Sequence, residues 1–374
     1  MSPRVQVCQQ WQRQLDALLP TVRATRRRVL LLLVLGLLWA GTVRLPEVAA
    51  AWPRERERAT NPSRERRLRR WLRNRDIDAR AIWAALLPSL LAAKAGQDLV
   101  LVFDPTPQNG TASVLVIGLV ARGRVLPLAW RVAPGQAAWA APMIVQVRAM
   151  VDEIRAALPP GCRVTLVVDR GLTGPALIDL CRAVGWDFVF RVSVSAAQAN
   201  RVRRPGAADR PLWDLVTRPG QRFAERVALF KDAGWREVEL TIHWAKGEVE
   251  PWVLVSDAPA GAAVTRCYRR RTEVEATYQD AKKRGFQVEA SKLVDLARFD
   301  RLLLALHLAW WWAQQLGWRV IRQGRRRWYD RADRRDLSIL RLGRRELAER
   351  EQGGRCPPLP FHRRHGQLSF IWLA

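Results

Sequence analysis

Lysine is nearly missing from this chain: of its 63 basic residues only six are lysine, which leaves 57 arginines in 374 residues. Cysteine is scarce as well. Cys8, Cys162, Cys181, Cys267 and Cys356 are scattered and form no C-x-x-C pair, which argues against a disulfide framework or a zinc site and suits a reducing cytosol. His243, His307, His362 and His365 are too dispersed for a metal cluster, and Cys356, His362 and His365 lack a fourth ligand at zinc spacing. Span-length apolar runs are also missing. Val29 to Val43 is 15 residues without a charge, short of the ~20 that cross a bilayer. Arg26-Arg-Arg before it and Ala49-Ala-Ala after it resemble a signal peptide, but the 28 residues ahead of the run and the interruption at Arg44 and Glu47 favour a buried helix.

Acidic residues are the minority, 35 against 63, so the formal charge is +28. Arginine forks bind phosphate in bidentate fashion, and nucleic acid is the natural polyanionic partner, with affinity that falls steeply with salt. Part of the arginine count reflects a GC-rich genome, and charge alone does not separate DNA from RNA. With 49% hydrophobic residues the chain can build a core, spread over two or three domains.

The first 95 residues carry helical patterns: Val5 to Leu19, the almost wholly apolar Val29 to Ala40, and Leu45 to Trp52, whose Pro46 and Glu47 suit a first turn. Asn61-Pro-Ser opens a basic helix through Leu72 with Arg64, Arg66, Arg67, Arg69, Arg70 and Arg73 nearby. A short helix, a break and a basic helix resemble a helix-turn-helix reader, with Arg64, Arg67 and Arg70 as candidate DNA contacts; a solvated arginine-rich face is the alternative. Ala79 to Ala93 completes an all-α DNA-binding domain over residues 1–95.

From Leu99 the period changes from helix to strand. Leu99 to Asp104, Ser113 to Val120 and Val125 to Val132 read as strands joined at Gln108-Asn-Gly110 and Arg122-Gly-Arg124. A helix from about Ala138 to Leu158, a strand Arg163 to Asp169, a helix Pro175 to Val184 and a strand Asp187 to Val192 follow. The order β-β-β-α-β-α-β is that of a ribonuclease-H-like α/β core with a mixed sheet. That core is expected over 96–192 and 265–318, interrupted by a β-rich insertion at 193–264. Trp213, Trp235, Trp244 and Trp252 lie in the insertion, either as its core or as a surface for an extruded base. Leu302 to Val320, with Trp310-Trp-Trp312, reads as an apolar helix against the sheet. Residues 319–374, dense in arginine and broken by Pro357-Pro-Leu-Pro360, read as a basic tail.

Asp104 and Asp169 each end an apolar run, so two buried strands deliver carboxylates. Downstream, Tyr268, Arg271, Glu275 and Lys282 have the spacing Y-x-x-R-x-x-x-E-x-x-x-x-x-x-K. A helix turns about 100° per residue, so these four share one stripe of a helix from about Val264 to Arg284. The solvated face of a surface helix gives the same pattern. The two aspartates set this stripe apart, because with Glu275 they occupy the first strand, the fourth strand and the following helix of a ribonuclease-H-like core, where a metal site fits.

The Y-R-E-K pattern resembles the DDE transposases of bacterial insertion sequences, in the family numbered four. Phe103-Asp104-Pro-Thr106, Gly123-Arg-Val-Leu-Pro-Leu-Ala-Trp130 and Asp169-Arg-Gly171 are similar too, over roughly residues 28–318; Leu172 departs from the family's usual phenylalanine. The resemblance implies a cytoplasmic, nucleoid-associated transposase that acts on double-stranded DNA, the terminal inverted repeats and the target, as a homodimer and with no membrane partner. It further implies catalysis by Asp104, Asp169 and Glu275 through two Mg²⁺ ions, Mn²⁺ being possible, with Tyr268, Arg271 and Lys282 holding DNA. The alternatives are a ribonuclease-H-like nuclease without strand transfer and a catalytically inactive, transposase-derived DNA-binding protein. A basic membrane-associated protein built on Val29 to Val43 is a third.

Overall fold

The computed structural model describes residues 2–53, 59–108, 112–135, 142–193, 201–282, 285–364 and 366–372. The expected turn residues Asn109 and Gly110, the helix start at Ala138, the helix end at Arg284, and His365 lie outside them.

Five helices come first: α1 (Pro3–Leu18), α2 (Ala24–Ala40), α3 (Leu45–Ala50), α4 (Asn61–Arg73) and α5 (Ala79–Leu91). Side-chain oxygens of Ser2, Thr60 and Asp78 accept free backbone amides at the starts of α1, α4 and α5. α2 contains most of the run Val29 to Val43, and Leu30 to Leu38 are buried on every side, as in a helix packed all round. Among the described residues no helix is long and apolar enough to cross a membrane.

Next come β1 (Asp98–Gln108), β2 (Ala112–Ala121), β3 (Arg124–Pro134), α6 (Met143–Ala157), β4 (Arg163–Val168), α7 (Pro175–Val184) and β5 (Asp187–Arg191), in the expected order. β1 pairs antiparallel with β2 and parallel with β4, and β4 pairs parallel with β5. Arg122 and Gly123, both at positive φ, make the two-residue turn between β2 and β3, a geometry that follows the twist of the strands.

The segment expected as a separate β insertion instead extends this sheet. β6 (Arg201–Arg203), β7 (Arg210–Pro211), β8 (Arg222–Leu229), β9 (Arg236–His243) and β10 (Trp252–Ser256) are added in the order β3-β2-β1-β4-β5-β10-β9-β8-β6-β7. The junction is an antiparallel pairing of β10 with β5, Leu254 opposite Arg191, which satisfies the edge that β5 would otherwise expose. The core here is aliphatic, with Val227, Leu229, Val238, Leu240, Ile242 and Val253 buried. None of the four tryptophans is among the buried residues; Trp213 is exposed and Trp235, Trp244 and Trp252 are half-buried.

The chain then forms α8 (Ala262–Arg269), α9 (Glu273–Ala281), α10 (Leu296–Arg322), α11 (Ile339–Gln352) and the hairpin β11 (Phe361–Arg364) with β12 (Gln367–Phe370). α10 is buried along most of its length and braces the sheet. β3 has a bulge where Gly118 faces Pro127 and Ile117 faces Ala129, leaving Leu128 out of register. Two indoles take the carbonyls there: Trp311 donates to Pro127 O at 3.1 Å and Trp83 of α5 to Leu128 O at 2.6 Å.

The basic tail is folded rather than solvated. α11 meets α10 where Gly317 and Gly343 let the backbones touch; a Cβ on Gly343 would stand 1.9 Å from the Ala313 carbonyl oxygen. Arg325, Tyr329 and Arg350 all donate to the buried Glu346. Burial works to raise the Glu346 pKa, yet these donors hold it down to about 2. Phe370 and Trp372 pack edge-on against Trp311, which ties the last strand to α10. Gly343→Ala is therefore expected to lower the unfolding free energy by ~2 kcal/mol or more in urea titration, since the backbones must separate. An unchanged midpoint would mean that α11 is not part of the cooperative core.

Candidate active site

β1 and β4 run parallel as far as Phe103 opposite Val168, and the next residue on each strand is an aspartate. Asp104 and Asp169 therefore leave the ladder side by side. Asp104 does not end its strand, as expected from sequence, because β1 continues to Gln108 beside β2 after β4 has stopped. At Asp169 the chain turns into a 3₁₀ turn over Arg170–Leu172, and the carboxylate accepts the Arg170 N–H at 2.8 Å.

The single helix expected over 264–284 is two helices, α8 and α9, joined by a 3₁₀ turn at Arg270–Thr272. Tyr268 Oη donates to Asp169 Oδ1 at 2.9 Å. Arg271 Nη2 lies 3.3 Å from Asp104 Oδ1 and 3.2 Å from Asp169 Oδ2, and its Nη1 lies 3.5 Å from Glu275 Oε1. One guanidinium thus touches all three acids.

The opposite face of α9 fixes this arrangement. Glu273 accepts the Gly123 N–H at 3.0 Å, Thr277 the Val125 N–H at 2.8 Å, and Asp280 is paired with Arg124 at 2.8 Å. These positions are spaced i, i+4, i+7, one helical face clamped to the β2–β3 turn. Tyr278 adds a bond to the Asp104 carbonyl at 3.1 Å. Sequence reasoning overlooked Glu273, Thr277, Tyr278 and Asp280, although the helical spacing of the polar trio was visible.

Lys282 is not brought to the acids. α9 ends at Ala281, so Lys282 falls off the helical stripe and its Nζ stands 3.8 Å from Glu289. Arg64 is also misplaced as a DNA contact: Arg64, Leu68, Trp71 and Leu72 form the buried face of α4. Arg67 is half-buried, with its guanidinium 6.0 Å from the Trp52 ring centre, while Arg70 is exposed. Arg67, Arg70, Arg73 and Arg26 line an open groove between α2 and α4.

The two aspartates differ electrostatically. Burial raises the Asp104 pKa, only partly offset by Arg271. Burial also acts on Asp169, but the Arg170 amide, Arg271 and Tyr268 outweigh it and hold that carboxyl below its usual range. The Tyr268 phenol is pushed upward by burial and by Asp169, so it stays a donor. Arg271 remains protonated because Asp169 and Asp104 offset the effect of its own burial.

Among the described residues no three carboxylate, thiol or imidazole groups stand close enough to hold one ion. The donor set is nevertheless what a hard cation takes: three carboxylates around a single positive group, with no softer ligand between them. Arg271 occupies the centre of the three.

Residues 127–312 match the family model of the transposase DDE domain. The match runs from β3 through most of α10 and includes Asp169 and Glu275, but starts after Asp104. A cryo-EM structure of the piggyBac transposase synaptic complex with hairpin DNA is 11% identical, with 87% of this chain and 72% of that chain covered and a TM-score of 0.42. No curated protein matches the sequence.

The raised Asp104 pKa carries a sign. The folded state holds this proton more tightly than the unfolded chain, so stability falls as pH rises from the unfolded toward the folded pKa and stays lower at pH 7. Asp104→Asn is expected to melt at a higher temperature than wild type at pH 7 in metal-free buffer, and the two curves should converge in acid. A lower melting temperature at pH 7 would contradict this balance of burial and pairing.

Proposed function

We propose that this protein is a DNA transposase that binds the ends of an insertion sequence, cleaves them and joins the freed 3′-OH ends to target DNA. The observation that carries the proposal is the convergence of Asp104, Asp169 and Glu275 on Arg271, at the end of a parallel ladder within a chain that matches a transposase DDE domain. The order β3-β2-β1-β4-β5, with β2 antiparallel to its neighbours, supports a ribonuclease-H-like core. In the proposed complex two copies pair two DNA ends, in the cytoplasm.

Asp104, Asp169 and Glu275 would hold two divalent ions, Mg²⁺ or Mn²⁺. Bound there, such ions stabilise charge on phosphate oxygens and make a bound water or 3′-OH more nucleophilic. The protein's own groups do the positioning. Tyr268 holds Asp169 through its hydroxyl, and Tyr278 fixes the backbone of Asp104. Arg271 has a buried Nε with no hydrogen-bond partner, and when the acids gain another counter-charge its guanidinium is released to grip a DNA phosphate. Lys282, one residue past α9, lies where it could reach the strand only by leaving Glu289. Arg67 and Arg70 line the groove proposed to take flanking duplex.

Two substitutions test the assignment. Asp104→Ala should bind terminal DNA as wild type does and lose divalent-ion-dependent nicking by at least ~10³-fold; nicking by a clean preparation would remove Asp104 from the site. Arg271→Gln should reduce nicking ~10²-fold without weakening calorimetric Mn²⁺ affinity, because a competing cation is gone. Weaker Mn²⁺ binding would instead make Arg271 a structural support of the acids.

A further inference from the structure

A second charged cluster adjoins the acids. Glu250, in the loop between β9 and β10, sits between two guanidiniums: both of its oxygens accept from Arg170 Nη1 at 2.6 Å, and Oε1 accepts from Arg191 Nη2 at 2.7 Å. Arg191 ends β5, and its Nη1 lies 3.8 Å from Asp169 Oδ1. Arg170 directly follows Asp169. Arg191 is largely buried, with 14% of its side chain exposed, and its Nε is buried with no hydrogen-bond partner. Glu250 is 41% exposed.

Arg191 differs from the surface arginines in having a desolvated N–H without an acceptor, and a buried donor left unmade is costly. Two guanidiniums facing one anion also form the fork that binds a phosphate diester. Glu250 supplies one carboxylate to that fork from a solvent-exposed loop, so it can be displaced with little loss of packing.

We propose that Arg170 and Arg191 form a clamp for a backbone phosphate of the DNA strand beside Asp169, and that Glu250 closes the clamp when DNA is absent. The inference rests on the transposase reading, because it needs a nucleic-acid strand in the pocket. Binding exchanges one anion for another. Glu250 swings to solvent, the phosphate takes its place, and Arg191 remains in register with Asp169. Sequence alone did not point to these residues, because Glu250 lies far from Asp169 along the chain and is delivered only by the pairing of β10 with β5.

The test is salt-resolved binding of the full chain to a labelled duplex, with divalent-ion-dependent nicking measured on the same preparation. Glu250→Gln should bind two- to fivefold more tightly than wild type, the order expected from release of a partly exposed ion pair. Asp98→Asn is the control: it removes the same charge from a bidentate arginine pair, with Arg163, at the other end of β1, and should give no gain. Adding Arg170→Gln and Arg191→Gln to Glu250→Gln should abolish the gain and flatten the log–log salt dependence by about one to two counterions. A gain cannot arise from misfolding. Equal gains from Glu250→Gln and Asp98→Asn, or none from either in a wild type that binds and nicks, overturn the clamp and leave the transposase reading intact. A wild type that neither binds nor nicks DNA overturns both.

Discussion

Asp104 and Asp169, at the end of one parallel ladder, repel each other and are harder to ionise because they are partly buried; with the exposed Glu275 of α9 beside them, the pocket keeps its shape because Arg271 lies within 3.5 Å of all three. The arrangement is unequal. Asp169 collects an amide, a phenol and the guanidinium and remains easily ionised, whereas Asp104 carries the larger burden of burial. A site in which one cation balances several acids can exchange that cation for others, and under the proposed function Arg271 would then be free to take a phosphate. The Arg170–Glu250–Arg191 cluster repeats the logic with the sign reversed, an anion holding a place between two cations.

The rest of the fold holds that balance in register. Pairing of β1 with β4 sets the two aspartates at one level, and the clamp of Glu273, Thr277 and Asp280 on the β2–β3 turn fixes which face of α9 meets them. Behind the sheet, α10 supports the bulge in β3 through the Trp311 indole, and α11 locks onto α10 through two glycines. The extension of the sheet past β5 brings Glu250 to Arg191, the last residue of β5, which itself lies 3.8 Å from Asp169.

Much of this was legible in the chain because periodicity and strand-end chemistry are local. The boundaries of α7 follow from Pro175 and the left-handed Gly185, and the element order of the core follows from the alternation of strand and helix runs. Asp104 and Asp169 stood out because each follows an apolar run, and Glu275 because of its spacing from Tyr268 and Arg271; their approach to one another is what the structure adds. What escaped depends on tertiary contact. A heptad extrapolation cannot register the 3₁₀ turn at Arg270–Thr272 or the end of α9 at Ala281, so Lys282 was placed on a stripe it does not join. Counting arginines cannot show that Arg64 shares the face of Leu68 and Trp71, or that the arginines near the C-terminus serve a buried Glu346. Strand pairing over long separations is likewise invisible, which is why the β segment looked independent.

Under the proposed function Asp104, Asp169 and Glu275 form one cation-binding pocket on DNA. Affinity cleavage reads it directly: Fe²⁺ replaces Mg²⁺ on the full chain bound to terminal DNA, and ascorbate with peroxide then generates radicals that cut the nearest peptide bonds. The account predicts three sets of cuts, beside residues 104, 169 and 275, all suppressed by excess Mg²⁺. Cuts missing at any one of these positions, or persisting under excess Mg²⁺, would contradict a shared pocket.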